Sequence, residues 1–484
     1  MGRGAVKWDA RITFELSVPS ENINSCPAIT RALQWTIRHR TMWGGWILER
    51  STARKGIFYG WFVLAAGFFV LFMATGARNG FGVFIVPLTE EFGWSRGALS
   101  FAIAVGWGVN GLSQPFIGRL YDRFGGRAVI SISLLILGVS TILLNRTTNL
   151  WFLIAVYGLI MSTASSGASL VTIHAVLAKW FYRRRGLVIS ISTAGGSAGS
   201  MIMAPFTTYM ILWTGWRVSW VVLGGFILVL ALPLAVFFIR DNPTKMGETP
   251  DGDGRPRDQA PGVSYEYPKA PLEREKWQES FSTPPIWQMT AAYFICGVTT
   301  AIISAHYVPF AIDRGASPEM AAFAFGLMTG LNVVGVITVG ILSDIFGRKY
   351  LLGIIYATRG LAYAMLILAP GMFGIWGFAV IAGFSWVATA SLTSTLTADI
   401  YGLRNLGTLG GVSTLSHQVG GALSVLMGGV LYDVFGSYDV PFSIAGSLLL
   451  FASMFAFNIR EKQYSSRYQT GLAGTASASA GDGD

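Results

Sequence analysis

Charge is what this sequence has least of. Only 12% of its 484 residues are Asp, Glu, Lys or Arg, about half the share of a soluble domain, which excludes a surface turned mainly to water. Cysteine is nearly absent too. Cys26 stands in a polar stretch and Cys296 in an apolar one, so neither a disulfide framework nor a thiolate metal cluster is indicated. Four histidines are scattered along the chain without neighbouring carboxylates, which argues against a hydrolytic or metal-dependent enzyme. No glycine-rich nucleotide loop occurs, so nothing points to ATP, and no cofactor is expected. Residues 1–56 are polar and basic and hold no apolar run long enough for a signal peptide. Met42 within them is an alternative start, so residues 1–41 are a candidate over-extension.

What remains is apolar. Hydrophobic residues make up 52% of the chain and glycine contributes 59 positions, as expected where helices bend or approach closely in a membrane. Twelve apolar spans are near the ~20 residues that cross a bilayer. They fall at about 58–87, 95–118, 128–145, 151–178, 186–212, 217–239, 287–311, 319–342, 350–369, 374–397, 406–431 and 440–459. The spacing predicts a cytoplasmic, disordered N-terminal extension over 1–56 and a six-helix bundle over 57–239. A flexible, Pro/Gly-rich linker follows over 240–286, then a second bundle over 287–459 and a disordered tail over 460–484.

The two bundles are copies of one another. Gly118-Arg119-Leu120-Tyr121-Asp122-Arg123-Phe124-Gly125-Gly126-Arg127 is echoed 222 residues later by Gly340-Ile341-Leu342-Ser343-Asp344-Ile345-Phe346-Gly347-Arg348-Lys349. The same offset carries Val86-Pro87 onto Val308-Pro309, Gly93 onto Gly315 and Asn110 onto Asn332. An offset of 221 carries Gly186, Ser192-Thr193 and Gly199 onto Gly407, Ser413-Thr414 and Gly420. Matches that cross helices, loops and glycines are the mark of an internal duplication.

Orientation follows from the short loops. Those after spans 2, 4, 8 and 10 hold Arg119, Arg123, Arg127, Lys179, Arg183, Arg184, Arg185, Arg348, Lys349 and Arg404; the loops opposite hold only Arg96, Arg146, Arg217 and Arg314. The positive-inside rule puts the repeated loops, the linker and both termini in the cytoplasm, of an inner or plasma membrane. The net charge of +10 is therefore a matter of topology, and no nucleic-acid partner is expected.

Twelve spans in two halves, with G-x-L-x-D-x-x-G-R-type loops after the second and eighth, resemble the major facilitator superfamily, over nearly everything from Gly60 to Arg460. Gly80-Phe81-Gly82-Val83-Phe84, then Phe92-Gly93-Trp94-Ser95-Arg96, resemble its bacterial monocarboxylate and oxalate–formate branch. So do Lys179-Trp180-Phe181, Ala194-Gly195-Gly196-Ser197-Ala198-Gly199 and Leu431-Tyr432-Asp433-Val434-Phe435-Gly436. The resemblance implies an all-α membrane protein of twelve helices in two pseudo-symmetric bundles. It also implies a monomeric secondary transporter, working by proton symport or anion exchange. It assigns Gly118, Asp122, Arg123, Gly125, Arg127, Gly340, Asp344, Gly347 and Arg348 to loops that latch one conformation. Eukaryotic monocarboxylate transporters carry an acid and an arginine four positions apart in the eighth helix. Here those positions are Asn332 and Val336, which removes the usual carboxylate for proton coupling.

A charge at the bilayer centre costs at least about 2.5–3.5 kcal/mol, so each marks a candidate function. Two cations stand inside spans, Arg78 in span 1 and Arg359 in span 9, with no acid at mid-depth. A positive centre without a counter-ion fits a small organic anion, foremost a monocarboxylate. Arg78, beside Asn79 in a glycine-rich stretch, can grip a carboxylate through two parallel hydrogen bonds; its alternative is to snorkel to the outer interface. Arg359 is a substrate ligand or, in a supporting helix, a pin between helices. His417 is a candidate substrate or proton group in helix 11, and His306 a candidate proton group or gate; the alternative for each is a neutral, hydrogen-bonded histidine. Asn332 and its mate Asn110 either line the cavity or bond across helices. Rival readings are an exporter of hydrophobic, drug-like compounds, which leaves Arg78 unexplained, and a membrane sensor that binds without transport.

Overall fold

The computed structural model describes residues 57–252, except Ser95, and 269–468; the expectations for 1–56, 253–268 and 469–484 lie outside the described residues. Twelve helical rods are present, with no strand among the described residues. They are α1 (Gly60–Phe92), α2 (Arg96–Phe124), α3 (Gly126–Arg146), α4 (Leu150–Trp180), α5 (Arg185–Thr214) and α6 (Trp216–Phe238) in the first half. The second half holds α7 (Pro284–Asp313), α8 (Pro318–Phe346), α9 (Arg348–Leu368), α10 (Gly371–Tyr401), α11 (Leu406–Phe435) and α12 (Asp439–Asn458). Eleven are long and apolar enough to cross a membrane; α2, with Asn110, Ser113 and Gln114, is as long but more polar. The chain is a multi-pass integral membrane protein.

Each half has its own apolar core. One joins Val70, Leu134, Trp180 and Trp220, the other Ile302, Tyr356, Phe378 and Phe442. Large apolar side chains such as Phe116, Leu212 and Leu368 face outward, as lipid contact requires. The turns between α2 and α3 and between α8 and α9 are single glycines, Gly125 (φ 85°) and Gly347 (φ 90°). Only glycine takes this left-handed backbone without strain, which is why the repeat keeps it twice.

Four helices are irregular at membrane depth; α6 carries a π-helical segment, Ile227–Ala231. In α1 the α-helix ends at Asn79 and a 3₁₀ stretch, Gly80–Phe84, follows, where Gly80 and Gly82 weaken helical preference. Helix α4 has a π-helical segment, Ile154–Met161, and breaks at Ala168 and Ser169. Helix α10 breaks between Ser385 and Ala388. Such breaks free backbone carbonyls, so they survive only where protein groups bond them.

Two segments differ from expectation. The stretch expected to be disordered from Arg460 is ordered through Tyr468: Glu461–Tyr464 is a helical turn, α13, and Arg467 donates to the Ser343 and Asp344 carbonyls. The linker expected to be flexible ends one turn earlier, at Thr283, and its described end docks on the second half. Leu272 N–H bonds the Ile400 carbonyl and Asn405 bonds the Arg274 carbonyl. Both segments are polar by composition, so only the partners they find reveal their order.

Candidate functional site

At the centre of the first half, Arg78 stands where the α-helical part of α1 ends. Its Nη1 donates to Asn110 Oδ1 at 3.1 Å, and its guanidinium lies over the Trp107 ring at 5.0 Å. Its Nη2 is buried and has no hydrogen-bond partner among the described residues. Asn110, 2% exposed, ties the site together. Its Nδ2 faces the Ser162 carbonyl and the Ser165 and Ser166 hydroxyls of α4, at 2.8–3.1 Å. Its Oδ1 also accepts from Gln418 Nε2 of α11, at 3.1 Å. One amide thus joins α1, α2 and α4 to the opposite half. The side chain of Asn79 is outside the described ones.

The pseudo-symmetric position differs in chemistry. Asn332 Oδ1 accepts from Ser197 of α5 at 3.0 Å, and its Nδ2 donates to the Gly383 carbonyl at 3.1 Å. Ser197 is the repeat mate of Gln418, so the two asparagines make matching bridges between the halves. Asn332 is only 1% exposed; both ends of its amide are used between helices. The mate of Arg78 is Thr300, whose hydroxyl lies 3.3 Å from His417 Nε2. His417 also packs on Tyr293, with ring centroids 4.8 Å apart. The first half therefore supplies a fixed cation and the second an imidazole.

Arg359 is wholly buried. It donates to the Ser385 carbonyl and, at 2.7 Å, to that of Trp386, and its Nη1 lies 3.4 Å from Cys296 Sγ. Those carbonyls are the ones the break in α10 sets free, and a cation at the end of a helix also meets its negative pole. His306 lies toward the other end of α7, against the Val425 carbonyl at 3.1 Å and the Tyr438 ring at 5.2 Å. These contacts stay within the second half.

The end of the molecule carrying the repeated loops, the basic end, is closed between halves. Asp122 accepts from the N–H groups of Gly407 and Thr408 and the Thr408 hydroxyl, capping α11. Asp344 accepts from the N–H groups of Gly186 and Leu187, capping α5. Gly118 and Gly407 meet so closely that a Cβ on either would run into the other's carbonyl, and Gly340 and Gly186 repeat the contact. Two further acids cap within their halves: Asp241 holds the N–H groups of Gly126 and Arg127, and Glu461 those of Arg348 and Lys349. Arg123 and Arg127 are elsewhere: Arg123 lies over Phe124 and Arg127 bonds the Val236 carbonyl.

Asp399 is the residue sequence reasoning missed. It is fully buried and bonds Arg185 of the first half and Arg348 of the second, each at 2.6 Å. It lies two residues past the predicted end of its span, and its counterpart in the first half is Ala178, so the repeat gave no signal. The Ser190 and Ser391 hydroxyls, 3.0 Å apart, and His174, between Thr193 and Ser394, add contacts between halves. Away from the basic end the seam loosens. No residue of 185–199 or 406–418 is exposed, whereas Met201, Tyr209, Trp213, Leu423 and Leu426 on the same helices are.

The sequence profile of the Major Facilitator Superfamily matches residues 67–425 and 292–478. An uncharacterized MFS-type transporter of Bacillus subtilis, YcxA, is 29% identical over 387 residues, 78% of this chain and 90% of that protein. Monocarboxylate transporter 12 of Rattus norvegicus is 24% identical over 415 residues, covering 82% and 84%. Among solved structures, the chain resembles the Escherichia coli fucose:proton symporter FucP, with TM-score 0.61 and 15% identity over 81% of this chain and 97% of that one. It also resembles the proton:xylose symporter XylE, with TM-score 0.67 and 13% identity over 86% and 99%.

Proposed function

The chain belongs to the Major Facilitator Superfamily, and from that premise we propose that this transporter carries a small organic anion, foremost a monocarboxylate, by alternating access. The observation that carries the reading is Arg78. Its buried Nη2 lacks a partner, and the acids found in the helices, such as Glu91, Asp122, Asp344, Asp399 and Asp439, lie toward helix ends. An uncompensated guanidinium in a low-dielectric centre attracts an anion, and its fork matches a carboxylate. The similarity to monocarboxylate transporter 12 supports the same substrate class. A hydrophobic exporter or a sensor gives this cation no task.

The basic end lies in the cytoplasm on this reading, and the caps, bridges and glycine contacts between halves form the gate that opens when the bundles rock. Asn110 couples the site to that gate, because the acceptor that orients Arg78 also holds Gln418 of the other half. His417 is the proton group, and Arg359 a brace for broken α10. Uptake of labelled lactate, pyruvate, formate and oxalate into proteoliposomes tests the reading. Saturable uptake of at least one is expected; no uptake of any, with a pH gradient or an internal exchange anion, overturns it. A proton role for His417 further predicts that an inward proton gradient speeds uptake in wild type but not in His417→Gln.

A further inference from the structure

A cavity of about 480 Å³ lies at the basic end, on the seam between the halves. Its walls come from the ends of α2, α4, α5 and α10, from the segments after α6, α10 and α12, and from the described end of the linker; of its arginines, Arg185 is paired with Asp399 and Arg404 with Glu275. Both signs of charge line it, but they are not equally engaged. Asp122 is taken up in capping α11 and Asp241 in capping α3; Glu273 accepts from the Ala270 N–H and lies against Gly402. Lys245, from the first half, and Lys269, from the linker end docked on the second, have no hydrogen bond or ion pair among the described residues, whereas the third ammonium, Lys179, is engaged with Asp241 and Asp122. These carboxylates keep their charge, and Asp241 and Asp122 set theirs against Lys179; Lys245 and Lys269 remain without an ion-pair partner.

We propose that this cavity is a binding site for a phosphate-bearing dianion, distinct from the transport site. Two unpaired ammoniums call for two negative charges, which a phosphate group supplies and a monocarboxylate does not. Lysine binds phosphate as a point charge without demanding planar geometry. The walls belong to both halves and meet only while the basic end is closed. A bound dianion therefore favours that conformation over the open one, because a ligand shifts an equilibrium by its differential affinity for the two states. Occupancy slows transport from this side without competing for Arg78. The phosphate comes from a soluble compound or from a lipid headgroup.

The test uses the full chain in neutral detergent, with inorganic phosphate titrated at constant ionic strength against chloride. Phosphate is expected to raise the melting temperature saturably by a few degrees, and chloride is not. The Lys245→Ala/Lys269→Ala double variant, both lysines exposed, is expected to lose the response while keeping phosphate-free transport. Arg78→Ala is expected to keep it, which separates this site from the central one. Nanodiscs distinguish the sources. If the headgroup is the ligand, discs containing phosphatidic acid, whose monoester phosphate can carry the second charge, abolish the phosphate response and phosphatidylcholine discs preserve it; if a soluble compound is, both preserve it. A response unchanged in the double variant, or no response in any medium, overturns the proposal.

Discussion

Removing the guanidinium of Arg78 and removing that of Arg359 are expected to fail in different ways. Arg78 makes one hydrogen bond, to Asn110, and leaves a buried nitrogen unpaired. Arg78→Ala should therefore keep a melting temperature near wild type while uptake falls to background. Arg359 satisfies two carbonyls released by the break in α10, and each unpaired buried group costs about 1–3 kcal/mol. Arg359→Met is expected to lower the melting temperature by several degrees, read by intrinsic fluorescence in detergent. A stable Arg359→Met protein that has lost uptake would instead make it a substrate ligand. Sequence alone finds both arginines, because charge in an apolar span stands out, but not their different surroundings. Those depend on where α10 breaks, and Ser385-Trp386-Val387 contains no proline or glycine to announce it.

Four carboxylates at the basic end do the same local job with different consequences. Asp122 and Asp344 cap helices of the opposite half, Asp241 and Glu461 helices of their own. A cap contributes about 1 kcal/mol. For Asp122→Asn part of that loss falls on the closed state alone, so the ratio of open to closed basic ends should rise up to about fivefold. Asp241→Asn should lower stability by a similar amount and leave the ratio unchanged. Labelling of a cysteine at the basic end, compared between the two variants, checks this; equal labelling would contradict the latch. The repeated motif makes Asp122 and Asp344 legible from sequence as switch residues, but they are not in loops: the structure places them in the last turns of α2 and α8, because each turn is a single glycine. Their partners are not legible, because the capped N–H groups of Gly407 and Gly186 lie 285 and 158 residues away.

As a whole, the molecule is two apolar cores held together over the basic half of their seam. The fold was legible because hydropathy marks the spans and duplication fixes which loops correspond. The bridges Asn110–Gln418 and Asn332–Ser197 were not, although their members are repeat mates, since a one-dimensional offset does not say which helices face each other. Asp399 was missed for want of an echo, and its two arginines make it sensitive: removing one partner of a buried ion pair costs about 3–5 kcal/mol. Rocking of the halves has a direct mechanical test. With Cys26 replaced by serine, Ser190→Cys/Ser391→Cys places two thiols where hydroxyls now lie 3.0 Å apart. Oxidation is expected to arrest transport and a reductant to restore it; full transport by the crosslinked protein would rule out opening at that seam.

In the proposed function, one guanidinium, that of Arg78, recognises the substrate by its charge. Competition against uptake of a labelled carboxylate, by the unlabelled acid and by its neutral amide, in wild type and Arg78→Gln, tests it most directly. Wild type is expected to be inhibited by the acid and at least tenfold less by the amide, and Arg78→Gln is expected to lose carboxylate uptake. Equal inhibition by acid and amide, or undiminished carboxylate uptake in Arg78→Gln, would contradict it.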